Sequence, residues 1–202
     1  MYRQTVIVVG VGALGSHVVQ LIRNEANLFV IDFDRVESKN VLSQFHGKPN
    51  VGKGKVASIG QTMNFLWGVK VDGANAKLVD INVDVLLNRD FRWPEGIVRK
   101  ADLVIDCLDN GDARRLVQAF ARAQKMPCLH GALAADGGFG RVIWDENFVI
   151  DDNTAGAATC EDGAHLPFIA VVSALIARSA QEFLLRGKRY GWSIAPTRIE
   201  MV

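Results

Sequence analysis

Residues 5–44, TVIVVGVGALGSHVVQLIRNEANLFVIDFDRVESKNVLSQ, contain the pattern that decides the fold. An apolar run over 5–9 leads directly into Gly10, Gly12 and Gly15, which fit G-x-G-x-x-G. That pattern omits side chains where the chain turns, where backbone approaches a phosphate and where helix packs on strand. The helix read over 13–24 then aims its free N–H groups and positive dipole end at the phosphate. A second apolar run, over 28–32, ends in Asp32, a carboxylate placed to accept hydrogen bonds from ribose hydroxyls. On these features alone a dinucleotide-dependent oxidoreductase fits as well as an ATP-binding domain, and a tight packing turn is the plain alternative for the glycines.

The rest of the chain fills in an α/β pattern. Strands are read over 5–9, 28–32, 69–74, 103–106 and 127–131, and helices over 13–24, 53–67, 113–124 and 166–186. This alternation predicts a Rossmann-like, mostly parallel sheet with helices on both faces. A further strand pair over 139–144 and 148–150, after the glycine-rich AADGGFG, is expected to run antiparallel toward the C-terminal part. With 202 residues, 49% hydrophobic, the chain can bury a real core, and one domain over 1–202 is expected. A net charge of +1 argues against a general nucleic-acid or membrane-surface binder. The apolar stretch at 168–177 is too short to span a bilayer, and no secretory signal is read ahead of the first strand. Three dispersed cysteines suit a reduced compartment, so a cytoplasmic protein without disulfides or a Cys-rich zinc site is expected.

After Asp32 the chain departs from ordinary dehydrogenases. VESKNVLSQFHGKPNVGKGK, residues 36–55, supplies amides, hydroxyls and lysines, which hydride transfer does not call for. A nucleoside triphosphate does, because its spread negative charge wants Lys donors and its oxygens want amides. Lys55 stands at a helix start after Gly52 and Gly54, although a solvated surface lysine is the competing reading.

IDFDRVESKNVLSQF and GKGKVAS resemble the D-x-D-x-V-x-x-S-N-L-x-R-Q signature and G-x-x-K-A segment of the ubiquitin-activating-enzyme superfamily in its ThiF/MoeB/HesA form. ADLVIDCLDNGDAR resembles its D-x-V-x-D-x-T-D-N-x-x-x-R run, and CLHGALAADGGFGRV and CEDGAHLPFIAVVSALIARSAQEFL are similar to its later segments, a likeness spanning residues 5–187. The resemblance implies an ATP- and Mg²⁺-dependent adenylyltransferase. Its substrate would be a small ubiquitin-like sulfur carrier or modifier protein, whose C-terminal glycine carboxylate it converts to an acyl-adenylate. By the same resemblance the backbone of Gly10, Gly12, Ala13, Leu14 and Gly15, together with Asp32, Asp34, Asn40, Gln44, Lys55 and Leu108, binds the nucleotide. Asp109 holds Mg²⁺ and, with Lys55 and Arg114, belongs to the catalytic set; Cys160 is the candidate acceptor of the activated acyl group. A homodimer is also implied, and the apolar closing helix would suit one. For Asp109 the rival role is a helix N-cap, for Arg114 a surface arginine, and for Cys160 an inert thiol flanked by Glu161 and Asp162.

Two departures from the family pattern stand out. Ser43 occupies the place of an arginine, and only four residues precede Thr5 where the family supplies another arginine from a helix. Arg35, Arg114 or a partner would have to substitute, and a nucleotide-binding scaffold with weakened catalysis is the alternative. The remaining histidines and aromatics are read conservatively. His130 is expected to be a hydrogen-bonded structural residue, His46 and His165 to face solvent, and Phe65, Trp67, Trp93 and Trp144 to pack in the core or at its edge.

Overall fold

The structure, a computed structural model, describes residues 3–92, 96–134, 136–150 and 163–202. Ten strands and five helices alternate along it. They are β1 Gln4–Val9, α1 Ala13–Leu21, β2 Ala26–Asp32, α2 Lys55–Trp67, β3 Val71–Asn75, α3 Val83–Leu87, β4 Phe91–Arg92, β5 Val98–Arg99, β6 Leu103–Asp106, α4 Gly111–Gln124, β7 Cys128–Leu133, β8 Gly140–Trp144, α5 Leu166–Arg186, β9 Trp192–Ala195 and β10 Arg198–Met201. Eight strands form one sheet in the order β10-β9-β8-β7-β6-β1-β2-β3, and β4 and β5 pair separately. From β3 to β7 the strands run parallel, and β8, β9 and β10 are added antiparallel. The sheet is therefore the mostly parallel, Rossmann-like one expected from the sequence.

Alternating side chains of the central strands feed two cores. Val6, Val8, Leu28, Val30, Leu103, Ile105 and Leu129 face α1, α2 and α5, while Ile7, Val9, Phe29, Ile31 and Val104 face α3 and α4. Strands buried on both faces read as continuous apolar runs, which is why β1, β2 and β6 were legible in the sequence. Helix ends follow local chemistry: Gly68 and Gly187 take positive φ after α2 and α5, where a residue with a Cβ is disfavoured. α5 has the length and mean hydropathy, 1.6, of a membrane span, contrary to the shorter stretch read at 168–177. Its inner face nonetheless packs on α1, β7 and β8, with Ser173, Ser179 and Glu182 buried.

Several boundaries shift by one to three residues, and one expected strand is absent. Residues 145–147 form a 3₁₀ turn, 148–150 are not strand, and the antiparallel neighbours of β8 are β7 and β9. The Phe148 carbonyl instead accepts hydrogen bonds from Gln118 and Arg122 on α4. β9 and β10 escaped the sequence reading because β9 is four residues long and β10 is exposed on both faces, so neither shows a clean apolar period.

Strand order sets where a ligand can sit. β1 continues to β2 on one side, whereas β6 lies on its other side, so the crevice at the C-terminal ends of β1 and β6 is a topological switch point. α1 approaches β1 closely enough there that a Cβ on Gly15 would run into the carbonyl oxygen of Gly10. Gly15→Ala is therefore expected to destabilise the fold by about 3 kcal/mol. Urea unfolding of the variant beside the native chain measures this; an unchanged midpoint would contradict the close packing.

Candidate functional site

At the end of β2, the Asp32 carboxylate accepts two backbone N–H bonds, from Val11 to Oδ2 and from Asp34 to Oδ1, each 2.8 Å. Burial raises its pKa above the ordinary carboxylate value, with Lys55 and the two N–H donors working against that rise. The first contact ties the Asp32 carboxylate to the glycine-rich loop itself. His46 takes hold of the same residue from the other side: its Nε2–H donates to the Val11 carbonyl at 2.8 Å, while Nδ1 lies 3.0 Å from the Ser58 hydroxyl on α2. Since a carbonyl can only accept, the neutral ring carries its proton on Nε2 and accepts from Ser58. His46 is thus buried and load-sharing between loop and helix, not the solvent-facing histidine expected.

The lysine and amides converge on the loop. Lys55 opens α2, is buried, and places Nζ 2.9 Å from Asp34 Oδ2. Asn40 is buried in the 3₁₀ turn Ser38–Leu42, where its Oδ1 accepts the Glu37 N–H. Gln44 is also buried. Its Nε2 lies 4.0 Å from where a Cβ on Gly12 would stand, and its Oε1 has no partner among the described residues. A buried amide oxygen without a partner is costly unless something fills its demand. Gly12, the N-cap of α1, offers no side-chain cap, so the first N–H groups of that helix remain open at the same place.

Across the crevice, β6 ends in Asp106, which is fully buried. Burial would raise its pKa, but Arg114, His130 and the Leu108 N–H outweigh it and hold the carboxyl below the ordinary value. Arg114 is not a surface arginine. Its guanidinium donates to Asp106 Oδ2 at 3.0 Å, to the Gly131 carbonyl at 2.7 Å and to the Leu108 carbonyl. It is committed inside the protein and is not placed to act as a free phosphate cation. His130 is buried between Asp106, 2.8 Å from Nδ1, and Asp145, 3.2 Å from Nε2, and stacks on Phe148, so it is structural as expected. Asp109 is exposed at a bend, and the cap of α4 is Asn110, whose Oδ1 accepts the Ala113 N–H. The Asp109 carboxylate is thereby left without a partner among the described residues.

Among the described residues there is no cluster of three or more His, Cys, Asp or Glu side chains suited to a metal. A single unpaired carboxylate fits a hard cation such as Mg²⁺, which keeps several waters and takes few protein oxygens. Ser43 is buried and its carbonyl accepts from His17 Nε2–H at 2.9 Å, so this position presents no charge to the crevice. Arg35 leans onto the Gly52 carbonyl at 2.8 Å. Cys107 lies against the glycine loop; burial raises its thiol pKa, as it does that of Cys128, which keeps both protonated. Cys160, with Glu161 and Asp162, and Trp93 lie outside the described residues. Phe65 is 87% exposed, against the packing role expected, because it lies on the outer face of α2; Trp144 is in the core. His165 is half-buried, with its ring where a Cβ on Gly137 would stand.

Fold and site together define an α/β protein with a Rossmann-like sheet whose crevice joins a glycine loop, a helix-start lysine and a free carboxylate. Over residues 1–194 the chain matches the ThiF family, and it belongs to that family. It is 31% identical over 120 residues to ubiquitin-like modifier-activating enzyme 5 of Drosophila erecta, covering 57% of this chain and 30% of that protein. It is 30% identical over 131 residues to molybdopterin-synthase adenylyltransferase of Escherichia coli (strain K12), covering 63% of this chain and 48% of that one. The chain thus spans less than half the length of these relatives. The crystal structure of E. coli MccB with ATP shares the fold, with a TM-score of 0.77 and 15% identity over 98% of this chain and 62% of that one.

The buried histidine yields a pH dependence. Burial, with the nearby Lys55 and His17 charges, pushes the His46 pKa from 6.5 down to about 4, although the Val11 carbonyl opposes the shift. A histidine held neutral in the fold but protonated in the unfolded chain loses its stabilising contribution as pH falls from the unfolded pKa to the folded one. Stability is therefore expected to drop by roughly 3 kcal/mol between pH 6.5 and 4 on account of this residue. Urea unfolding across that range should show a shallower slope for His46→Gln, and an identical slope would refute the assignment.

Proposed function

We propose that this protein binds ATP and activates the C-terminal glycine carboxylate of a small ubiquitin-like carrier or modifier protein as an acyl-adenylate. The observation that carries the reading is Gln44, a buried amide whose Nε2 lies beside the uncapped start of α1 and whose Oε1 has no partner among the described residues. A ribose hydroxyl would satisfy that oxygen, and the open N–H groups beside it would meet phosphate. Asp32 would accept from the ribose hydroxyls, and Lys55 would move from Asp34 to the phosphates. The carrier carboxylate attacks the α-phosphorus in line, and pyrophosphate leaves with the electron pair of the broken P–O bond. Mg²⁺ bound beside Asp109 would supply neutralisation of the phosphate charge. Family membership supports this reading, as do the names of the relatives, an adenylyltransferase and a modifier-activating enzyme, and the crystallisation of MccB with ATP and with MccA.

Two finer steps belong to the same proposal. In the first, the Cys160 thiolate attacks the acyl carbon and AMP departs, leaving a thioester. In the second, the protein acts as a homodimer in the cytoplasm. The inner face of α5, which could have served as a dimer surface, is covered within the chain, so the dimer rests on family membership. A solution mass equal to one 22.1 kDa chain at micromolar concentration would count against it.

One observation favours a second reading, a nucleotide-binding scaffold with weakened catalysis. Ser43 is neutral, Arg35 is bonded to a carbonyl and Arg114 is internal, so none of the three offers a free cation to the phosphates, and Lys55 is itself paired with Asp34. ATP–pyrophosphate exchange with carriers ending in glycine separates the two. Exchange should be present and should fall by about a hundredfold or more in Asp109→Ala. No exchange with any carrier would favour the scaffold, and tight NAD binding alongside it would return the oxidoreductase reading.

A further inference from the structure

Leu108, the residue before Asp109, is held at both of its peptide groups. Its N–H donates to Asp106 Oδ1 at 2.9 Å, and its carbonyl accepts from Arg114 Nη2. The carbonyl belongs to the Leu108–Asp109 peptide, so Arg114 sets the plane from which the Asp109 side chain departs. On the other side, Asn110 is fixed by capping α4. Asp109 is thus an unpaired carboxylate suspended between two anchored neighbours, at a point where the Leu108 backbone borders the glycine loop at Gly10. The guanidinium is itself locked. Nη1 meets Asp106 Oδ2 and Nη2 reaches Gly131 on β7, while His130 braces Asp106 and is braced in turn by Asp145. A group with three acceptors at fixed angles, two of them buried, suits arginine, whose planar fork a lysine cannot copy.

We propose that Arg114 is a positioning residue: by clamping the Leu108–Asp109 peptide onto buried Asp106, it holds the Asp109 carboxylate where a magnesium–nucleotide complex is bound. The inference rests on the functional reading above for the role of Asp109 and goes beyond it in assigning Arg114 an indirect task. Loosening the clamp should cost the metal contribution to nucleotide binding while leaving the metal-free contribution of the glycine loop intact. Groups that orient a metal ligand typically change metal affinity by about ten- to a hundredfold when removed.

The experiment is calorimetric titration of ATP into the full chain, with and without Mg²⁺. The native protein should bind more tightly with the metal, and Asp109→Ala should lose that increment. Arg114→Gln should lose about tenfold or more of it with metal-free affinity unchanged, Arg114→Lys should restore only part, and Arg114→Gln should add nothing in an Asp109→Ala background. A full increment in Arg114→Gln overturns the proposal alone, as does an equal loss of affinity with and without Mg²⁺, which would mark a merely structural arginine. No increment in the native protein overturns the role of Asp109 and the proposal with it. If Arg114→Gln does not fold, Asp106→Asn, which keeps the shape but weakens the anchor, is read by the same criteria.

Discussion

The close approach of Gly15 to the carbonyl of Gly10 is the constraint on which the site depends. It brings the start of α1 against the end of β1, so the open N–H groups of the helix lie at the switch point of the sheet rather than over solvent. Any side chain at 15 would push helix and strand apart and turn that dipole away. Everything else in the crevice is arranged around a backbone fixed by this contact. The two flanking strands then repeat one device. Val11, just beyond β1, is held by Asp32 at its N–H and by His46 at its carbonyl; Leu108, just beyond β6, is held by Asp106 and Arg114 in the same two ways. Each buried aspartate thus converts a strand end, where backbone would fray, into a rigid shelf.

Such shelves require buried charge, and buried charge is expensive. An isolated ionised Asp106 would face a desolvation penalty of several kcal/mol. Here two cationic or donor groups, Arg114 and His130, and one backbone N–H surround it, and the net effect is a carboxyl held below its ordinary pKa. Replacing the cluster with apolar side chains of equal volume could leave the fold as stable. It could not hold the Leu108 carbonyl, so the cluster is better explained by the precision it gives the neighbouring loop than by stability. The same logic applies to His46, which could be a leucine in a purely structural loop but then could not bind Val11.

The parts of this arrangement differed in how far the sequence exposed them. β1, β2 and β6 were readable because both their faces are buried, which leaves unbroken apolar runs. The glycine loop and Asp32 were readable because their spacing follows two apolar runs, and Lys55 because two glycines precede a helix start. His46 was not, since a single histidine in a loop carries no period, and its partners, Val11 and Ser58, are 35 and 12 residues away. Arg114 gave a misleading signal: its place in a motif and its charge suggested contact with phosphate, whereas its three partners are a buried carboxylate and two carbonyls. Charge shows that an arginine needs acceptors, but only the folded chain shows which ones. β9 and β10 had no signal at all, being short and partly or wholly exposed.

The internal use of Arg114 also bears on how this site meets a triphosphate. With Ser43 neutral and Arg35 turned to Gly52, the remaining cation among these residues is Lys55, paired with Asp34. The backbone makes up part of the deficit. α1 and α2 both begin at glycines, Gly12 and Gly54, without side-chain caps; α1 follows β1 directly, whereas α2 is separated from β2 by two 3₁₀ turns and its first N–H, that of Lys55, donates to the Asp34 carbonyl. The start of α1 offers unsatisfied N–H donors, and each helix start carries about half a positive charge. Dipoles of this kind are already oriented before ligand arrives and need no side-chain ordering on binding. They favour a bound anion in the ground state as well as in the transition state. A guanidinium that follows developing charge does more for the second, so a site built on helix starts is suited first to holding an anion, and under the proposed function its catalytic strength would rest on Lys55 and on how rigidly Asp109 is placed.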